Sequence, residues 1–172
     1  VNLDARDLTP PFTAGALRGG SHVHVWDANG DWVSYTYNDA LVESDIRDIA
    51  VSVPQPRVSV SKDHARHRHG EYFSVLVSRT TTNPTPGSDE IKRACEEAWV
   101  GMDGYIRADG TRQKRALASQ GTVVTATGGT NVEVFIADLP EDLTQSGGAP
   151  IAGTATTRPS PPRGVTQRRL TF

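Results

Sequence analysis

Apolar and polar positions alternate at period two along much of this chain, the spacing that puts every second side chain on one face of a strand. His22-Val23-His24-Val25-Trp26 and Trp32-Val33-Ser34-Tyr35-Thr36-Tyr37 flank Asp27-Ala28-Asn29-Gly30-Asp31. Asn-Gly between two such runs predicts a β-hairpin, because both residues tolerate positive φ. Ile49 to Val60 carries Val51, Val53, Val58 and Val60 in phase but is interrupted by Pro54 and Pro56. Proline removes a ladder donor, so an edge strand or an extended connector is predicted there. Tyr72 to Val77 reads as a buried strand. Tyr105-Ile106-Arg107 and Arg112 to Ala118, around Ala108-Asp109-Gly110, predict a second hairpin. Asn131 to Asp138 predicts a further strand, with Val132, Val134 and Ile136 on one side and Glu133, Phe135 and Ala137 on the other. One stretch breaks the alternation. Ser88-Asp89-Glu90 offers an N-cap and acids suited to a helix N-terminus, Ile91, Cys95, Ala98 and Trp99 recur at helical spacing, and Gly101 is a natural stop. A short helix over Asp89 to Val100 is predicted.

Between these elements the chain changes texture. Residues 1–20 read as an irregular entry, and residues 145–164 hold four Gly and four Pro in linker-like composition. Gln167 to Phe172 then begins another strand. The chain starts with Val1 rather than Met, so either a leader was removed or the sequence is part of something longer. A bacterial periplasm and a cytoplasm both stay open as compartments.

Composition narrows the classes. The 17 Val and 18 Thr against nine Leu favour strands, so an all-β fold is expected. A net charge of −2 over 172 residues argues against a generally basic nucleic-acid binder. No run approaches the roughly 18 apolar residues of a membrane helix, so no membrane insertion is expected. A lone cysteine, Cys95, excludes an internal disulfide framework and a cysteine-cluster metal site.

Trp26-Asp27-Ala28-Asn29-Gly30-Asp31-Trp32-Val33-Ser34-Tyr35 resembles the hairpin of TolB-like β-propeller blades. Ala16 to Val25, Val77 to Thr81 with Pro86 to Ile91, and Glu133 to Pro140 resemble one family of uncharacterised bacterial TolB-like proteins, often labelled "biopolymer transporter Tol". The resemblance implies a partial TolB-like propeller of antiparallel blades with one short inserted helix. Residues 1–144 would then be incomplete blades, 145–166 a Pro/Gly-rich linker, and 167–172 the start of a further, truncated blade. The Ala28-Asn29-Gly30 turn recurs as Ala108-Asp109-Gly110, in the manner of repeated blades. Resemblance carries the fold and no activity, since function has to come from a site.

The histidines cluster as His22 and His24, then His64, His67 and His69. Residues i and i+2 of a strand share a face, so His22 and His24 are candidate ligands for one divalent metal, with a third ligand from the second cluster. Oligogalacturonide lyases, similar in architecture, hold a metal with histidines inside a propeller. The alternative is a wet aromatic surface: a two-residue turn pairs His24 with Tyr35 and His22 with Tyr37, whereas a longer turn with a bulge slips that register. Arg57, Lys62, Arg66 and Arg68 could hold an anion, but Asp63 and Glu71 interrupt them. Arg163, Arg168 and Arg169 read as solubilising residues, and Cys95, flanked by Glu96 and Glu97, as a packing residue. No Gly-x-Ser-x-Gly elbow or phosphate-binding loop occurs. The expectation is a non-catalytic binding or scaffold module with a protein or carbohydrate ligand and no cofactor. The alternative is a metal-dependent, polysaccharide-lyase-like enzyme using the histidines.

Overall fold

The computed structural model describes residues 2–42 and 46–172. Val1, whose identity bore on processing, lies outside the described residues together with Glu43, Ser44 and Asp45. β1 (Ala5–Arg6) and β2 (Ala16–Leu17) pair in parallel. β3 (Gly20–Trp26), β4 (Val33–Asn38), β5 (Asp48–Val58) and β6 (Gly70–Leu76) make one antiparallel sheet in chain order. β7 (Ile91–Trp99) opens a second sheet, and the small hairpin of β8 (Tyr105–Ile106) and β9 (Arg112–Gln113) interrupts it. β10 (Arg115–Val124), β11 (Thr130–Leu139) and β12 (Thr166–Arg169) complete the order β7-β10-β11-β12. The described residues are therefore all β and contain no helix; apart from the parallel β1–β2 pair, their strands form antiparallel sheets that do not close into a barrel.

The two large sheets share one core. Ile49, Val51 and Val53 of β5 and Phe73 and Val75 of β6 belong to the same buried cluster as Ile91, Ala94, Leu117, Phe135 and Ala137 of the second sheet. Register explains the selection: Val51 lies opposite Val75 and Leu117 opposite Ala137, so the in-phase residues of neighbouring strands share a face. Burial of each large aliphatic or aromatic side chain contributes roughly 1.5–3 kcal/mol. The other face of β4, β5 and β6 is covered too, since Val33, Tyr35, Tyr37, Ala50 and Leu76 pack with Leu17 and Leu3 of the entry segment. The outer face of the second sheet differs. Val132 and Val134, on the side of β11 away from Phe135 and Ala137, are 62% and 38% exposed.

The helix expected over Asp89 to Val100 is a strand, β7. Its buried residues, Ile91, Ala94 and Glu97, recur every third position because its pairing with β10 slips twice, between Ala118 and Gln120 and between Gly121 and Val123. Each slip inserts one extra residue on β7, so a period of two reads as nearly helical. Glu96, at φ +55°, sits in one of these irregularities. Ser88 does not cap a helix: its hydroxyl donates to the Thr85 carbonyl at 2.7 Å, and Glu90 accepts the Thr85 N–H at 2.7 Å, closing a turn.

The prolines of β5 behave locally as an edge. β4 pairs only with Asp48 to Ser52, so Pro54 lies past the end of β4 and faces Tyr72 of β6 alone. Residues 145–165 are anchored at several points along an otherwise largely exposed course. Ile151 and Val165 enter the main core, and the buried Arg18 guanidinium donates to the carbonyls of Thr154 and Thr157 at 2.7 and 3.0 Å. Arg158 pairs with Asp48 at 2.7 Å. This segment straps the ends of both sheets. Beyond it, β12 pairs with β11 and is the outer strand of the second sheet.

Candidate functional site

A pocket of about 310 Å³ opens where the β3–β4 turn meets the end of β7, the start of β10 and the turn after β11, at the lower end of the ~300–1,000 Å³ range of ligand sites. The turn is built by Asp27. Its carbonyl accepts the Gly30 N–H at 3.0 Å, and its Oδ1 accepts the N–H groups of Asp31 and Trp32 at 2.9 and 3.2 Å. Trp99 is held by its indole N–H, which donates to the Val25 carbonyl at 3.0 Å and ties the second sheet to the first. Arg115 lies opposite Leu139 in the ladder, which brings it beside Glu141. Its guanidinium sits 4.2 Å over the Trp32 ring, with Nε 3.3 Å from Asp27 Oδ2 and Nη1 3.3 Å from Glu141 Oε2. Lys114 Nζ reaches Glu141 Oε1 at 3.4 Å, and Arg112 reaches Asp103 at 3.3 Å. These contacts are long for charge-assisted bonds, so the groups keep capacity for a ligand. Nothing in the sequence pointed to this pocket, because its walls come from positions 27, 99, 115 and 141 and carry no local motif.

The structure does not bring His22 and His24 together. Val23 has φ +57°, and the β3–β4 register slips between His22 and Val25. His22 lies opposite Thr36, whereas the His24 ring packs 5.1 Å from the Tyr35 ring and its Nε2 is 3.3 Å from Ser21 Oγ. Tyr35 and Thr36 are consecutive on β4 and face opposite ways, so the two imidazoles do too. Each loop histidine accepts a backbone N–H: His64 from Arg66 at 3.0 Å, His67 from Leu8 at 2.8 Å and His69 from Val60 at 3.0 Å. They brace the segment between β5 and β6. Among the described residues no three His, Cys, Asp or Glu side chains gather in a way that could hold a metal ion.

Other candidates are engaged structurally. Arg57 pairs with Glu71 at 2.7 Å and Arg68 with Asp4 at 2.8 Å. Arg168 donates to the Tyr105 hydroxyl at 2.6 Å, and Arg169 pairs with Glu133 at 3.1 Å. Burial raises the pKa of the half-buried Cys95 thiol, and Glu96 and Glu97 add to the rise. Asp48 accepts from Ser78, Thr80 and Arg158 at 3.0, 2.7 and 2.7 Å in a cleft beneath residues 149–161, and burial pushes its carboxyl above the ordinary value of 3.8. Glu97 is the exception to this satisfaction. It accepts from the Thr36 hydroxyl at 3.1 Å, but its buried Oε1 has no partner among the described residues, and burial raises its pKa.

Fold and site together define an all-β module of stacked antiparallel sheets with a polar pocket at the turn end. The family described as a protein of unknown function, DUF3748, matches residues 1–68, the entry segment and most of the first sheet. Over 179 aligned residues the chain is 48% identical to the uncharacterized protein YidR of Escherichia coli (strain K12), and the alignment takes in 99% of this chain. The chain spans 40% of the length of that relative. Both matches support an uncharacterised bacterial family. No solved structure matches.

Proposed function

We propose that this chain is part of a TolB-like β-propeller and acts as a non-catalytic binding and scaffold module whose ligand site is the pocket around Trp99 and Arg115. The observation that carries the reading is the contrast between sheet faces: β4, β5 and β6 of the first sheet are covered on both sides, whereas the outer face of the second leaves Val132 and Val134 exposed. A single four-stranded antiparallel sheet is the repeating unit of a propeller, and this chain carries two of them over one shared core. A further sheet, of the kind the remaining length of the YidR relative can supply, is the occupant that fits that open face. The pocket's carboxylates pair with guanidinium and ammonium groups, an arrangement suited to holding a ligand.

The test is co-expression of this chain with a polypeptide covering the part of YidR that it does not span. A stable complex is expected, and it should be lost when Val132→Asp and Val134→Arg are combined. Absence of a complex with folded wild-type chain, or a complex indifferent to those substitutions, overturns the reading.

A further inference from the structure

The pocket's chemistry narrows its ligand beyond the binding-module reading, on which this inference rests. Its wall carries acceptors and donors in adjacent pairs: Asp27 and Glu141 beside Arg115, and Glu141 beside Lys114. Asp27 Oδ1 is committed to the backbone of its own turn, while Oδ2 has only the 3.3 Å contact from Arg115. Glu141 and Lys114 are largely exposed and meet only at 3.4 Å. An alcohol hydroxyl both donates and accepts, so it inserts between such a pair and satisfies both members. A fixed anion or cation would satisfy one and repel the other.

The charges of the wall support the same conclusion. The lining carries Asp27, Asp103 and Glu141 against Lys114 and Arg115, and Arg112, just outside the lining, reaches Asp103 and balances the remaining charge, so no strong net charge attracts an ion. The pocket is also lined by Trp99, whose half-buried ring packs against the shared core and is fixed by the Val25 carbonyl. An aromatic face of this sort packs against the C–H face of a pyranose while planar polar groups at its rim take the hydroxyls. We propose that this pocket binds a neutral saccharide, one ring lying on Trp99 and its hydroxyls shared between Arg115, Asp27 and Glu141.

The experiment titrates the methyl glycosides of glucose, galactose, mannose and N-acetylglucosamine, and then short neutral oligosaccharides, into the 172-residue chain. Binding is read by saturation-transfer NMR and tryptophan fluorescence. Saturable binding of at least one neutral sugar is expected. Glu141→Ala and Lys114→Ala, both exposed and unnecessary for the fold, should each weaken it about tenfold, the equivalent of one lost hydrogen bond of about 1.4 kcal/mol. Glu133→Ala, outside the pocket, should leave it unchanged. Trp99→Phe should keep part of the affinity, and Trp99→Ala should remove it in protein whose far-ultraviolet spectrum remains that of the wild type. Inorganic phosphate and galacturonic acid serve as charged probes. If either binds at the pocket in preference to the neutral sugars, the saccharide assignment fails while the binding-module reading stands. No saturable binding by any neutral sugar, or binding that Glu141→Ala and Lys114→Ala leave intact, also overturns the assignment. Failure of the YidR complementation would instead strike the module reading itself.

Discussion

Gly30 and Gly20 separate two effects of glycine that the sequence alone runs together. Gly30 has φ +72°, and a Cβ there would meet nothing within 4 Å. Its requirement is therefore backbone conformation alone, and left-handed geometry costs an L-residue about 1–2 kcal/mol. Gly20 also has open space but needs no positive φ. Gly30→Ala is expected to lower stability by about 1 kcal/mol, and Gly30→Val by somewhat more, on the order of 1–3 kcal/mol. Gly20→Ala should be close to neutral. Urea midpoints of the three variants against wild type check this, and equal midpoints for Gly30→Ala and Gly20→Ala would show that the turn is not built as described. At the same scale, Arg18 is fully buried with its guanidinium on Asp39 at 2.7 Å and on two carbonyls of the strap. Arg18→Met strands the Asp39 carboxylate in the interior, and breaking a buried pair in this way costs roughly 3–5 kcal/mol. Denaturation of Arg18→Met alongside Arg18→Met/Asp39→Leu measures it, and the double variant should recover much of the loss.

At the scale of elements, the hairpins and strands were legible because each announces itself locally. Asn29-Gly30 and Asp109-Gly110 carry their turns, with both glycines at positive φ, and the alternation of β11 separates Phe135 and Ala137 from Val132 and Val134. What failed was the assumption that strands keep step. Bulges in β3 and β7 each add a residue, which sends His22 and His24 to opposite faces and disguises β7 as a helix. A bulge is decided by the neighbouring strand, and a single sequence does not display it. β7 also carries the element's pH dependence. Glu97 is buried with one unpartnered oxygen, and burial raises its carboxyl above the ordinary value of 4.5. The folded state then holds this proton more tightly than the unfolded state does. The Glu97 contribution to stability is accordingly lost as pH rises from near 4.5 through the higher folded value, and is absent above it. Glu97→Gln removes the charge but keeps the shape and the Thr36 contact. It is expected to be more stable than wild type at pH 7, by about 1–2 kcal/mol on the usual cost of a buried unsatisfied polar group, with no gain at pH 4. Chemical denaturation from pH 4 to 8 provides the comparison, and parallel profiles for the two proteins would contradict the account.

At the scale of the whole molecule, residues 145–165 add a tie between two sheets that already share a core. Their Gly and Pro content reads as a flexible linker, because composition does not show that Ile151 and Val165 fall into the shared core. Nor does it show that Arg18 donates to the Thr154 and Thr157 carbonyls and Arg158 to Asp48 of β5, contacts between positions more than a hundred residues apart in the chain. Such a segment costs conformational entropy to hold, on the order of 1–2 kcal/mol per ordered residue, and the few anchors must offset it. Removing one should therefore release the strap well before the sheets unfold. Ile151→Ala leaves a cavity in the common core and is expected to cost about 2–5 kcal/mol, while Arg158→Met cuts the polar tie to Asp48 without touching that core. Limited proteolysis of wild type should spare 145–165, since cleavage needs local opening. Both variants should be nicked there at least tenfold faster, Arg158→Met with the smaller change in thermal midpoint. Rapid cleavage of the folded wild-type chain within 145–165, at a rate that neither substitution alters, would return the segment to the linker that its composition suggests.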